Sequence, residues 1–309
     1  MTTRRRLLAA PLLAAPAIVT LTGLSRAARA APAWAAKYPE LVYAMVPAEN
    51  ATGLSERTAP FVAYLSETLG VPVKLRIAND YAAVIEGQKT ETVQIGYYGP
   101  AAYARAVMIG AKIQPFIIDV YAASGLGYYS AFYVRADSPY RTIADLKGKN
   151  MGFVDPNSMS GTLMPRYALH KMGIDPDTYF GKIIYTGSHE NGILALKQGT
   201  VDVATNWWDS DNESNLTRMV TKGMVKKEDY RVILKSDLII NSPHAYLTDM
   251  PEEAKAAIRT AFLEAPTKAP AAFARLQDGQ ALPWQPIDAK AYEPTIELVK
   301  YIDSLRKKG

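Results

Sequence analysis

From residue 41 onward, short apolar runs alternate with stretches whose apolar positions recur every three or four residues. Runs at 41–46, 73–78, 93–98, 113–120 and 129–136 predict strands. Between them, 55–69 sets Phe61, Val62, Leu65 and Leu69 on one face and stops at Gly70, which predicts a helix. Residues 81–89 predict a second helix. Pro100 opens a third at a first-turn position, where its missing N–H costs nothing. The pattern restarts after the turn at Asp137-Ser138-Pro139. A short helix at 143–146 is followed by strands at 151–154, 183–185, 201–205 and 231–234, with helices at 161–172, 189–198 and about 210–222. Residues 244–247 read as a return strand. The remainder is helical at 251–263 and 289–306, with Pro283 and Pro286 between.

This order predicts the α/β class, with largely parallel sheets faced by helices. Two such units of similar size, with no internal repeat and no low-complexity linker, imply two lobes, one interrupting the other. The expected division is 31–134 plus 238–309 for the first lobe and 135–237 for the second. A cleft between the lobes is the expected ligand site, because strand ends and domain interfaces are where open α/β sheets bind ligands.

Charge changes the picture only at the N-terminus. The chain has 309 residues and a formal net charge of +5, but Arg4, Arg5, Arg6, Arg26 and Arg29 fall in the first 30 residues, which carry no acid. The remainder balances at about zero, so no basic field for nucleic acid or anionic membrane is expected. The same 30 residues read as an export signal: a basic Thr3-Arg4-Arg5-Arg6, an apolar stretch at 7–24 interrupted by Pro11 and Pro16, and a small-residue site at Ala28-Arg29-Ala30. Cleavage is expected after Ala30, with Ala35 as the second choice, and the arginine pair also fits twin-arginine export. Periplasmic localisation follows from this reading. The chain has no Cys, hence no disulfide and no thiolate metal site.

Candidate chemistry concentrates at strand-to-helix junctions. Asp155-Pro156-Asn157-Ser158-Met159-Ser160-Gly161-Thr162 offers hydroxyls and free N–H groups at a helix start, which suits an anion; simple helix capping explains the same residues. Gly187-Ser188-His189-Glu190 is a second junction, where the ring or the backbone N–H of His189 could donate. Tyr81 follows Asn79-Asp80 at a third junction, and Tyr128 opens a crossing strand; either could equally be packing. Asp209, after Trp207-Trp208, either caps a helix or faces a cationic part of a ligand. None of these motifs carries a Lys or Arg, which predicts an oxyanion held by converging neutral donors.

The chain resembles the phosphonate-binding periplasmic proteins of ABC transporters. The likeness rests on Asp80-Tyr81, Tyr98-Gly99-Pro100, Gly127-Tyr128-Tyr129-Ser130, Asp155-Pro156-Asn157-Ser158-Met159-Ser160-Gly161, His189-Glu190 and Val201-Asp202-Val203-Ala204-Thr205-Asn206, in family order. It implies the two-lobed type II periplasmic binding fold, closure of the lobes on a small phosphorus oxyanion, and delivery to an inner-membrane permease. Carried over by position, Tyr81, Tyr128, Ser158, Ser160 and His189 surround the phosphonate oxygens, with Gly161 beside them. Met159 stands where the family usually has threonine. Asp209 falls where members that bind aminoalkyl phosphonates place a carboxylate for the amine, and a second such carboxylate is here Ser242. Trp208 and Trp207, adjoining Asp209, suit an alkylated ammonium, so an aminoalkyl or N-alkylated aminoalkyl phosphonate is the expected ligand. Phosphite, methylphosphonate, phosphate or an organosulfonate is the alternative. A secreted phosphoesterase is remote: there are three histidines, no metal cluster stands out, and no Gly-x-Ser-x-Gly elbow is present. No catalytic role, cofactor or metal is expected.

Overall fold

A computed structural model describes residues 31–278 and 282–306. The export signal lies outside the described residues. Near the start, Trp34 is buried in the first lobe's core, so a cut after Ala35 would strip a packed aromatic from it.

The chain opens with strand β1 (Leu41–Met45), helix α1 (Ala51–Leu69), β2 (Val73–Ile77), α2 (Tyr81–Lys89), β3 (Ile95–Tyr97), α3 (Pro100–Met108) and β4 (Ile113–Ile118). Asn50 caps α1 through its side chain. Gly70 ends it in the left-handed region at φ 71°, where a residue with a Cβ is disfavoured. β1 lies between β2 and β3, parallel to both. The chain then crosses to a second sheet as β5 (Gly127–Arg135), β6 (Asn150–Phe153), α4 (Met164–Lys171), α5 (Pro176–Tyr179), β7 (Lys182–Tyr185), α6 (His189–Lys197), β8 (Val203–Trp208), α7 (Asn215–Thr221), β9 (Tyr230–Lys235) and β10 (Ile239–Ile240). It returns through β11 (Pro243–Leu247), which inserts antiparallel between β3 and β4. Helices α8 (Glu252–Lys268) and α9 (Pro270–Leu276), strand β12 (Gln285–Pro286) and helix α10 (Glu293–Arg306) complete the first lobe. The sheet orders are β12-β4-β11-β3-β1-β2 and β10-β5-β8-β6-β7, with β9 also on β5.

The lobe boundaries differ from the expectation. β5 and β10 belong wholly to the second sheet, so the crossings fall before Gly127 and after Ile240, not at 134/135 and 237/238. An apolar strand has the same alternation whichever sheet it joins, so sequence pattern could not place the crossing. The crossings run side by side and are clamped by Asn241, which is fully buried. Its Nδ2 donates to the carbonyls of Asp119 (2.9 Å) and Gly125 (3.0 Å), and its backbone carbonyl accepts from Tyr292 Oη at 2.8 Å.

Each lobe has its own core. In the first, Phe262 meets Tyr43, Phe61 and Phe116 edge-on at 5.1–5.8 Å between ring centres. His244 is buried against these rings with its Nε2 2.8 Å from Tyr43 Oη, and burial pushes its pKa down to about 3. In the second lobe, apolar clusters cover both faces of the β5–β8–β6 sheet. A further cluster spans the lobes, joining Ala101 and Ala104 of α3 and Val299 and Ile302 of α10 to Met159, Leu163 and Met164.

The junction after β6 winds as one π turn from Met159 to Leu163 before α4 begins, with Leu163 N–H donating to the Ser158 carbonyl at 3.0 Å. Gly161 is required there for space: an added Cβ would stand 2.4 Å from Val154 and 2.8 Å from Ser158 Oγ. Gly161→Ala should therefore cost about 1–3 kcal/mol as overpacking. Urea unfolding checks this; an unchanged midpoint would show that the turn relaxes freely.

Candidate binding site

The strand-end junctions converge. Tyr81 is the first residue of α2, positioned by its cap Asp80, whose Oδ1 accepts from Ala83 N–H at 2.8 Å. Tyr128 comes from the start of β5. Ser158, Met159 and Ser160 come from the π turn and His189 from the first turn of α6. All six line one cavity of about 90 Å³ between the lobes, joined by Met45, Val46, Leu54, Tyr97, Tyr121 and Ser242. Five of the six are under 5% exposed and Tyr128 is 7%, so water competes weakly for their donors.

Burial raises the Tyr81 and Tyr128 pKa values well above the ordinary phenol, with the hydroxyls of Ser158 and Ser160 respectively opposing. Both phenols therefore stay protonated as donors. Ser158 Oγ accepts from Gly161 N–H at 3.1 Å, so the serine does cap the turn, yet its own proton remains to be given. The turn is held rigid from beneath: Ser130 Oγ donates to the Ser160 carbonyl at 2.6 Å, and Thr205 Oγ1 to that of Gly161 at 2.7 Å. Burial lowers the His189 pKa to about 4, with Asn206 opposing, so the ring is neutral at pH 7. Its Nδ1 is buried without a hydrogen-bond partner among the described residues.

Several expectations fail. Gly161 does not line the cavity; its N–H is spent on Ser158 and its role is close packing. The His189 backbone N–H is spent on the Ala48 carbonyl at 3.0 Å, leaving only its ring for a ligand. Asp209 is buried away from the cavity, where its Oδ1 accepts from the N–H (3.1 Å) and hydroxyl of Ser124 in the crossing segment. Trp208 also lies outside. β8 continues to Trp208, three residues beyond the expected end, and alternation along it sends Trp207 into the cavity and Trp208 to the other face. There it meets Tyr129 edge-on and Lys235 Nζ at 3.3 Å from its ring centre.

A site of neutral donors alone was expected, but two guanidiniums line the same cavity, Arg57 from α1 and Arg218 from α7. Neither belongs to a motif. The available signal was a basic residue beside the apolar stripe Leu54, Phe61 and Leu65 on one helix, and one next to Leu216 and Met219 on the other. Arg57 pairs with Glu49, Nε to Oε1 at 2.7 Å, and also donates to the Leu276 carbonyl. Glu49 also pairs with Lys222 of the second lobe, which reaches Glu190 Oε1 at 2.8 Å, while Glu190 Oε2 accepts from Asn50 N–H at 2.8 Å. Burial pushes the Lys222 pKa down, but Glu190 and Glu49 outweigh it and raise it overall; Arg57 and Lys222 likewise hold Glu49 low against burial. These charges fasten the two lobes beside the cavity.

Two α/β lobes closing on one buried polar cavity define a periplasmic-type substrate-binding protein. The chain belongs to the phosphonate periplasmic substrate-binding proteins of ABC transporters, whose family profile matches residues 43–292. It is 33% identical to the phosphonates-binding periplasmic protein of Escherichia coli K12 over 72% of this chain and 65% of that one. It is 32% identical to the phosphate-import protein PhnD of Mycolicibacterium smegmatis over 67% and 66%. The match thus spans just under two thirds of the length of these relatives. A binding component of a phosphonate ABC transporter from Pseudomonas aeruginosa superposes with a TM-score of 0.76, at 28% identity, over 86% of this chain and 87% of that one.

Two outcomes test this geometry. Because the fold holds His189 neutral at pH values where the unfolded chain would bind a proton, stability is full above about pH 6.5 and declines as pH falls toward 4, by about 3 kcal/mol from this group. His244 adds a loss of the same sign. Denaturant melts between pH 7 and 4.5 should show the decline, and His189→Gln should flatten it; an identical pH slope in the variant contradicts the burial assigned to the ring. Lys222→Met leaves Glu190 without its cation and Glu49 with Arg57 alone, and should weaken closure by about 2 kcal/mol, between an exposed and a fully buried pair. Small-angle scattering should show a larger radius of gyration; no change would mean that the apolar contacts alone hold the lobes.

Proposed function

We propose that this protein captures a small organophosphonate in the periplasm by lobe closure and presents it to the permease of an ABC importer. The observation that carries the reading is the convergence of two phenols, two serine hydroxyls and a neutral imidazole on one buried cavity between the lobes. Donors drawn from both lobes are complete only when the lobes meet, so a phosphonate binds the closed state better and shifts the population toward it. The helix starts at Met159 and His189 add the positive ends of their peptide dipoles. Membership in the phosphonate-binding family supports the same ligand class. The N-terminal arginine-led segment fits an export signal, and its Arg4-Arg5 pair also fits the twin-arginine route. Binding rather than turnover is supported by membership in a substrate-binding family.

The aminoalkyl tail rested on Asp209 and Trp208, and both lie outside the cavity, so the reading is restricted to the phosphonate head group. Methylphosphonate, phosphite, phosphate and a sulfonate are the comparison ligands. Calorimetry should rank methylphosphonate above methanesulfonate. Tyr128→Phe and Ser158→Ala should each weaken methylphosphonate by about 1–3 kcal/mol. Unchanged affinity in both variants would remove the pocket from the mechanism.

A further inference from the structure

We propose that the half of the cavity beyond the phosphonate head group selects an acceptor-bearing, anionic tail, a carboxyalkyl phosphonate, and that Arg218 is the residue that reads it. The inference rests on the phosphonate reading above and concerns only the second end of the ligand.

The main cavity adjoins a smaller one of about 30 Å³, and the two share Met45, Arg57, Tyr97, Tyr121 and Arg218. That is room for one or two water-sized groups past the head group. Trp207, which lines the main cavity, is stacked parallel to Tyr121, which lines both, with ring centres 6.0 Å apart. Such a surface suits a cation, and a cation already occupies it: the Arg218 guanidinium carbon lies 4.7 Å from the Trp207 ring centre. A ligand ammonium would have to approach a resident positive charge instead of an open aromatic face.

The hydrogen-bonding capacity left over is also of donor type. Among the charged residues lining the two cavities, Glu49 is held by Arg57 and Lys222. Asp119 takes Tyr97 Oη on Oδ2 at 2.7 Å and Trp284 Nε1 on Oδ1 at 2.8 Å. Both carboxylates are therefore engaged, and Asp119 lines only the smaller cavity. Arg57 spends all three of its nitrogens on Glu49 and the Leu276 carbonyl. Arg218 differs. Among the described residues it makes one hydrogen bond, NH2 to Glu213 Oε1 at 3.2 Å, and it forms an ion pair with Asp278 through NH1 at 3.3 Å without a hydrogen bond. Its Nε is buried with no hydrogen-bond partner among the described residues. A guanidinium with spare donors in a buried site accepts a carboxylate with charge-assisted bonds, and without one those donors stay desolvated and unpaired. Ser242, also in the lining, adds no charge to oppose this.

Calorimetry with methylphosphonate, phosphonoacetate and 2-aminoethylphosphonate on the purified protein separates the outcomes. Phosphonoacetate should bind about tenfold or more tighter than methylphosphonate, one charge-assisted bond's worth, and 2-aminoethylphosphonate no tighter than methylphosphonate. Arg218→Gln should bring the phosphonoacetate-to-methylphosphonate ratio close to one, and Arg218→Lys should restore part of it, which a purely structural arginine would not do. If Arg218→Gln does not fold, the ranking on the unaltered protein and the Lys variant decide. Tighter binding of 2-aminoethylphosphonate than of phosphonoacetate overturns the tail assignment while leaving phosphonate capture standing, as does a ratio unmoved in both variants. Failure of all three ligands to bind overturns phosphonate capture, and the tail assignment with it.

Discussion

The cavity depends on one ionic constraint. Glu49 of the first lobe and Glu190 of the second stand on opposite sides of the cleft, both nearly buried, and would repel if they met alone. Lys222 lies between them and Arg57 neutralises Glu49 from the other side, so the acidic rims become the fastening of the lobes. The backbone joins in at the same place, where His189 N–H reaches the Ala48 carbonyl and Asn50 N–H reaches Glu190. Every donor that the first lobe aims at a ligand held by the second relies on this seam, because hydrogen-bond geometry degrades within an ångström.

The cavity has two electrostatic halves, and they ask for different chemistry. The donors gathered at the strand ends are neutral: phenols kept protonated by burial, serine hydroxyls, and an imidazole kept uncharged by desolvation. Neutral donors bind an oxyanion by count and direction, which distinguishes a phosphonate from an anion with fewer oxygens or a different protonation state. Beyond them lie guanidiniums, aromatic faces and already satisfied carboxylates, a setting that responds to the sign of the tail's charge. The hinge behind both halves is polar as well. Buried Asn241 ties the two crossings together, and Asp209 ties the second lobe to Ser124 in one of them.

Elements whose local signals agree with their tertiary setting were legible: α2 begins at Tyr81 and ends at Lys89 as its capping and periodicity require. Helix α1 starts at Ala51, four residues before the start expected at 55, because Asn50 caps it through contacts that hydrophobic spacing does not register. The helix expected from about residue 210 begins at Asn215, because β8 extends to Trp208 and a turn through Ser210 and Glu213 intervenes. That extension decided the fate of Trp207 and Trp208, since residues adjacent in a strand point to opposite faces.

The junction motifs by themselves determined the α/β class and which short stretches would stand at strand ends, because capping residues, glycines and hydrophobic period act over a few residues and need no distant partner. Tertiary structure alone decided that Arg57 and Arg218 enter the cavity, that Asp209 turns to the hinge, and that the crossings precede Gly127 and follow Ile240. Those outcomes depend on which helix face meets which sheet across more than a hundred residues of chain, and a charge in a helix reads the same in sequence whether it faces water or a ligand.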